Sequence, residues 1–281
     1  MTSHTRIAPT PSGIPHLGNA INFAIIHIIS RIYDTKLSLR IDDADTKRFR
    51  NEYLESIFSL LNWLEIDTEG PKSVTQFHQD GFSQTHRFQQ YKIWVEELLD
   101  KKLAYCCNCS RKDILNRTGG MTYDGFCQSK EIAFHSKETT VRIQDQHFIL
   151  WTKEDSPSYQ LVSTWEDCQN DVDLIIRGND LKESSGFQCH LAKLLNQQNF
   201  CKVHFFHHSL ILDSSGEKLS KSSGKNTQSS IISWDQQLGT TRTDLYYKAA
   251  QLLFDTSLSK EVDILKQIDE NKNNFKKLLP I

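Results

Sequence analysis

Two segments of this chain carry residue types suited to chemistry on a polyanion. Pro11-Ser12-Gly13-Ile14-Pro15-His16-Leu17-Gly18-Asn19 lies near the amino end. Glu217-Lys218-Leu219-Ser220-Lys221-Ser222 lies roughly 200 residues later. The first sets an imidazole and a glycine at the start of an apolar run, where a helix N-terminus would present backbone N–H groups. The second carries two lysines and two serines. Helix N-termini and ammonium groups both favour bound negative charge, so together the segments suit a triphosphate. Alone, a histidine ahead of a helix is more often structural, and a lysine run is more often a solvated face.

The elements that would position these residues follow from hydrophobic periodicity. Thr5 to Ala8 reads as a short strand ending in Pro9-Thr10-Pro11-Ser12-Gly13. A helix is expected over residues 17–33, with Ile21, Ile25, Ile28, Ile29 and Ile32 on its buried side. Residues 36–41 read as a second strand running into Asp42-Asp43-Ala44-Asp45. Strand, helix, strand at this spacing implies a βαβ unit and a parallel sheet. Amphipathic helices are expected over 52–64 and 84–101, and strands over 139–143, 148–151, 173–177 and 203–212. Asp180 is placed to cap a helix over 181–197. Residues 231–281 read as helical.

Composition excludes several classes. The 281 residues carry 38% hydrophobic and 24% charged residues with a formal net charge of −2, which describes a globular protein with no global pull toward nucleic acid. No apolar run reaches the roughly 18 to 20 residues of a membrane span, and no secretory signal pattern opens the chain. The seven cysteines are odd in number, and four fall between Cys106 and Cys127. That spacing suits one metal site in a reduced, cytoplasmic protein better than a disulfide framework. Cys107 and Cys109 can form one turn of a structural zinc site with Cys127 as a third ligand, and Cys106 is a rival ligand.

Read together, Arg6 to Gly13, His16-Leu17-Gly18-Asn19, Leu39 to Asp45, Ile176-Arg177-Gly178-Asn179-Asp180-Leu181 and Lys218 to Ser222 resemble the catalytic core of class I glutamyl-tRNA synthetases. The likeness covers most of Arg6 to Gly224. Only 57 residues follow Gly224, fewer than an anticodon-binding region requires. Cys107-Asn108-Cys109 with Tyr123-Asp124-Gly125-Phe126-Cys127 resembles the zinc site of the shorter glutamyl-Q tRNA(Asp) synthetase family, in which Tyr123 would be the fourth ligand.

The resemblance implies an α/β fold: a Rossmann-like parallel-sheet catalytic domain in two halves (residues 1–104 and 136–224), a zinc-bearing insertion (105–135) and a short helical region (225–281) without an anticodon-binding domain. It implies activation of L-glutamate by Mg-ATP and transfer to queuosine in the anticodon loop of tRNA(Asp), by a monomer. The implied catalytic residues are His16, Lys218 and Lys221. Gly18, Asn19, Leu219 and Ser220 join them around ATP. Arg6, Thr10, Asp42, Tyr159 and Arg177 would hold glutamate, with Arg6 on the γ-carboxylate, Arg177 at the α-carboxylate and Asp42 facing the ammonium. Asp42 and Thr10 stand where that family usually has Glu and Ser. Thr164-Trp165-Glu166-Asp167-Cys168 departs from the family's usual segment on the nucleotide side.

Overall fold

The computed structural model describes residues 3–120, 122–209, 233–254 and 263–279. In chain order these form β1 (His4–Ile7), α1 (Leu17–Tyr33), β2 (Lys36–Leu39), α2 (Asn51–Trp63), α3 (Val74–Gln79) and α4 (Phe88–Asp100). There follow β3 (Ala104–Cys107), α5 (Arg111–Thr118), β4 (Thr140–Ile143), β5 (Ile149–Trp151), α6 (Tyr159–Gln169) and β6 (Leu174–Gly178). The order closes with α7 (Lys182–Leu194), β7 (His204–His208), α8 (Trp234–Leu238), α9 (Arg242–Phe254), α10 (Ile264–Glu270) and α11 (Lys272–Lys276). The chain divides into two compact units. One comprises residues 1–83, 171–183 and 202–281, and the other 84–170 and 184–201.

The first unit holds the parallel sheet that the βαβ spacing predicts. β1 pairs with β2, Arg6 opposite Ser38, and β6 pairs with β7, Gly178 opposite His208. β6 runs beside β1, where Asp173 N–H donates to the His4 carbonyl at 3.1 Å. The Asp173 carboxylate also accepts from His4 N–H at 2.8 Å and from the Ser3 hydroxyl. On the outer edge of β2, Leu39 N–H donates to Glu69 C=O and Glu69 N–H to Leu37 C=O. This approach requires Gly70, whose φ is +109° and where a Cβ would stand 2.8 Å from the Leu39 carbonyl oxygen.

Helix α1 is the hub of this unit. Ile21, Ile25, Ile28, Ile29 and Ile32 are all fully buried, as the isoleucine spacing implies. They pack into one core with Ile7, Leu39, Leu54, Leu174, Ala249 and Ile268. The helix stops at Asp34, whose left-handed backbone (φ 53°) turns the chain into β2. Helices α8 to α11 confirm the helical reading of the described part of residues 233–279.

The second unit carries the antiparallel sheet β3-β4-β5. Three helices, α3, α5 and α6, escaped the periodicity reading. α3 is one and a half turns capped by Ser73, and α6 begins behind Ser158, whose hydroxyl accepts from Leu161 N–H. Short helices with strong caps leave too few periods to register, and the caps carry the signal instead. Residues 36–41 pair as a strand only to Leu39, although Arg40 N–H still donates to Ile7 C=O and Asp42 N–H to Pro9 C=O.

Candidate functional site

The carboxyl ends of β1, β2 and β6 bring sequence-predicted residues together in the first unit. Arg6 is the third residue of β1 and Arg177 the fourth of β6, and each is only 4% exposed. Buried guanidinium groups at strand ends are costly unless they meet carboxylates, and open α/β sheets bind ligands at these ends. The Arg177 guanidinium lies 5.0 Å from the centre of the Phe205 ring. Thr10 is exposed directly beyond β1, in a tight turn where its carbonyl accepts from Ser12 N–H.

Asp42 is not a solvated loop acid. It is 7% exposed and held by Arg40, whose Nε and Nη2 donate to its two carboxylate oxygens at 2.7 and 3.2 Å. This fork-shaped pair fixes the carboxylate and offsets its charge. Arg40 was not among the residues singled out from sequence. Its signal is alternation: two residues along an extended segment place side chains on the same face. Asp43 is also buried and accepts from Ser83, while Asp45 pairs with Arg48 at the surface.

His16 stands at the N-cap of α1. Its Nδ1 accepts from Gly18 N–H at 3.1 Å, and its own N–H donates to the Asn19 side chain at 3.0 Å. A neutral ring with Nδ1 accepting carries its proton on Nε2, where it is a donor. Asn19 is engaged in this reciprocal cap. Lys218, Leu219, Ser220, Lys221 and Ser222 lie outside the described residues. Gly178 closes β6 where space is tight: a Cβ there would sit 2.6 Å from Asp180 Oδ1 and 3.7 Å from His208 Cε1.

Tyr159 belongs to the second unit. It is the first residue of α6 and 38% exposed. Glu166 and Asp167, in the departing segment, are buried. Glu166 accepts from Arg87 Nε at 2.7 Å and from the Tyr91 hydroxyl. Burial, then the Glu166 charge, pushes the Tyr91 phenol well above its ordinary pKa. That glutamate is therefore part of an internal network of its own unit.

The second unit also gathers the thiols. The sulfurs of Cys107, Cys109 and Cys127 lie within 4.8 Å of one another, and Cys109 and Cys127 are 3.5 Å apart. Tetrahedral zinc with bonds of about 2.3 Å holds thiolates about 3.8 Å apart, so the set fits. Strand alternation separates neighbours: Cys106 is outside this cluster and meets Thr139 instead. The Tyr123 oxygen accepts from Cys127 N–H at 2.9 Å, and its ring carries the Arg142 guanidinium at 4.1 Å. Burial raises the Tyr123 hydroxyl above its ordinary pKa, as it raises the Cys109 thiol. Arg117 Nη2 lies 3.5 Å from Cys109 Sγ and pairs with Asp124 through two hydrogen bonds. Arg117 and Arg142 supply positive charge around a set that turns anionic when it binds a metal. Sequence reading missed both, because their distance along the chain conceals the contact.

Residues 2–132 match the family described as tRNA synthetases class I (E and Q), catalytic domain. The chain is 29% identical over 250 residues to a glutamate–tRNA ligase of Ruthia magnifica subsp. Calyptogena magnifica, covering 77% of this chain and 51% of that protein. It is 29% identical over 260 residues to a glutamate–tRNA ligase of Protochlamydia amoebophila, covering 79% of this chain and 50% of that protein. The chain thus spans about half the length of the curated relatives it matches. In fold it is similar to the glutamate-tRNA synthetase of Elizabethkingia anophelis, with a TM-score of 0.64 at 20% identity over 79% of this chain and 53% of that one. Residues 2–132 are thus similar to the catalytic domain of class I (E and Q) tRNA synthetases. Among the described residues no helix is long and apolar enough to cross a membrane.

Proposed function

We propose that this protein activates L-glutamate with Mg-ATP and passes the glutamyl group to queuosine in the anticodon loop of tRNA(Asp). The observation that carries the activation step is the pair of buried arginines, Arg6 and Arg177, on neighbouring strands of the unit that also buries Asp42 just past the end of β2. Two guanidinium groups and one carboxylate complement the two carboxylates and one ammonium of glutamate. Thr10 completes the first unit's share of the amino-acid pocket in this reading.

The glutamate α-carboxylate is already an anion and needs no base. Its oxygen attacks the α-phosphorus of ATP, the bond from that phosphorus to the bridging oxygen breaks, and pyrophosphate leaves. Catalysis is then alignment and charge stabilisation. The α1 N-terminus receives the phosphates, with His16 Nε2–H as a donor and Gly18 allowing close approach. Lys218 and Lys221 neutralise the leaving group, together with magnesium. Cys107, Cys109 and Cys127, with Tyr123 as the fourth ligand, would hold a structural zinc that would supply no chemistry. It braces the insertion.

The acceptor rests on the resemblance of the thiol and tyrosine pattern to the glutamyl-Q family. The Arg40–Asp42 pair, which leaves less net charge for an ammonium, motivates a second reading in which another acid is activated. Amino-acid-dependent exchange of pyrophosphate into ATP, run over all twenty amino acids, separates the two. Transfer of labelled glutamate onto tRNA from queuosine-containing and queuosine-deficient cells then tests the acceptor. Label on the first pool alone is expected, and label on both refutes the queuosine reading.

A further inference from the structure

One polar pair in the first unit, a buried histidine and a half-buried asparagine, is not required by its packing. His208, the last residue of β7, is 5% exposed, and its Nε2 lies 2.8 Å from Oδ1 of Asn22 on α1. Its Nδ1 lies 2.8 Å from the Ser209 carbonyl oxygen. A carbonyl only accepts, so Nδ1 carries the proton and Nε2 a lone pair. With that tautomer the Asn22 amide rotates to present its NH2 to the ring; with the proton on Nε2, the ring donates to Oδ1 instead, and the tie is kept either way.

Burying an imidazole and an amide costs free energy that an apolar pair would not. Ile21, Ile25 and Ile29 of α1 lie in one apolar core with Ile7 and Leu174 of the strands, so the helix otherwise meets the sheet through apolar groups. A hydrogen bond adds what apolar packing lacks, a fixed register. The register here joins two places that matter. His208 pairs across β6 with Gly178, the neighbour of Arg177, and its ring edge lies against the Gly178 position. Asn22 lies between one and two turns into the helix that His16 caps.

We infer that His208 and Asn22 are positioning residues, which lock the phosphate-facing start of α1 in register with the strand end that carries Arg177. This rests on the proposed activation of glutamate by ATP. The tie aligns a bound carboxylate with a bound α-phosphate while contacting neither. Its loss lowers the rate of the aligned reaction more than the affinity for either substrate. The groups facing the ring are Asn22 from α1, Asp180 from the turn after β6, and the Ser209 carbonyl. Burial keeps the ring neutral, against the pull of Asp180.

The test uses the purified full chain and glutamate-dependent pyrophosphate–ATP exchange. Asn22→Leu keeps the volume and removes the bond. It should lower kcat on the order of 10-fold to 100-fold, with KM for glutamate and for ATP each within about threefold of wild type. Asn22→Asp offers a carboxylate that holds a protonated His208, so it should restore much of kcat at low pH and lose it as pH rises through the raised midpoint of that ring. NMR titration of the His208 ring should show the Nδ1–H tautomer in wild type and an upward-moved midpoint in Asn22→Asp. Wild-type exchange with an unchanged kcat in folded Asn22→Leu would overturn the positioning role alone. Wild type without any glutamate-dependent exchange would overturn the proposed activity. The ring titration decides the tie in either case, since a midpoint indifferent to Asn22→Asp refutes it.

Discussion

The first unit and the thiol-bearing insertion of the second solve the same problem by different means. The first buries a continuous apolar core around α1, from Ile7 and Ile21 through Leu174 to Ile268. The insertion has a small cluster of its own, Tyr105, Cys107, Ile114, Tyr123 and Cys127, and three of these five are candidate metal ligands or neighbours of one. Burial of apolar area stabilises in proportion to the area, so the first unit has ample driving force and the insertion little. A metal can supply what the small core lacks, because ligand binding free energy becomes folding free energy. A large core also leaves room to bury charge at strand ends, whereas a small one concentrates its polar groups around a single centre.

The sharpest way to break this contrast is to remove one thiol. Cys127→Ser should abolish stoichiometric zinc and open residues 105–135 to protease, while the first unit keeps its melting transition. Elemental analysis with limited proteolysis checks it, and an insertion that stays protected without metal would place its stability in packing. A smaller, opposite effect is expected from Ile25→Ala in α1, where the side chain is fully buried. It should cost about 2–5 kcal/mol in urea unfolding and leave zinc content unchanged.

The third prediction concerns pH and belongs to the first unit alone. His27 is buried in α1 and bonded to the Tyr246 hydroxyl, which itself donates to the Leu64 carbonyl. Burial, then the Arg31 charge, lowers the His27 pKa to about 4. The unfolded state binds this proton near pH 6.5 and the folded state only near 4. The stabilising contribution is therefore complete above about pH 6.5 and is lost as pH falls toward 4, by at most about 3 kcal/mol. Replacing His27 by Gln should flatten the stability profile over that window, and urea midpoints between pH 4 and 7 measure it. An unaltered slope would assign the acid sensitivity to other groups.

Much of the first unit was legible before its structure, for reasons visible in particular residues. The isoleucine spacing of α1 defines one helical face, and a short strand on either side forces a parallel pairing. The His16 cap and the strand-end position of Arg177 follow from neighbours a few residues away. The thiol pattern was legible as a set but not as a geometry: Cys106 and Cys107 are equal candidates on paper, and only the alternation of β3 sends them to different surroundings.

Local order along the chain thus determined the α/β class, the helix that carries the first motif and the residue types of the candidate site. Tertiary structure decided which charges meet. Glu166 turning inward to Arg87 and Tyr91, and His208 reaching Asn22, are pairings across a helix pair and 186 residues of chain respectively. Periodicity reports which face of an element is buried, because burial repeats with the element's own geometry. It carries no information about which polar group on another element will satisfy a buried one, because that choice is made by packing in three dimensions.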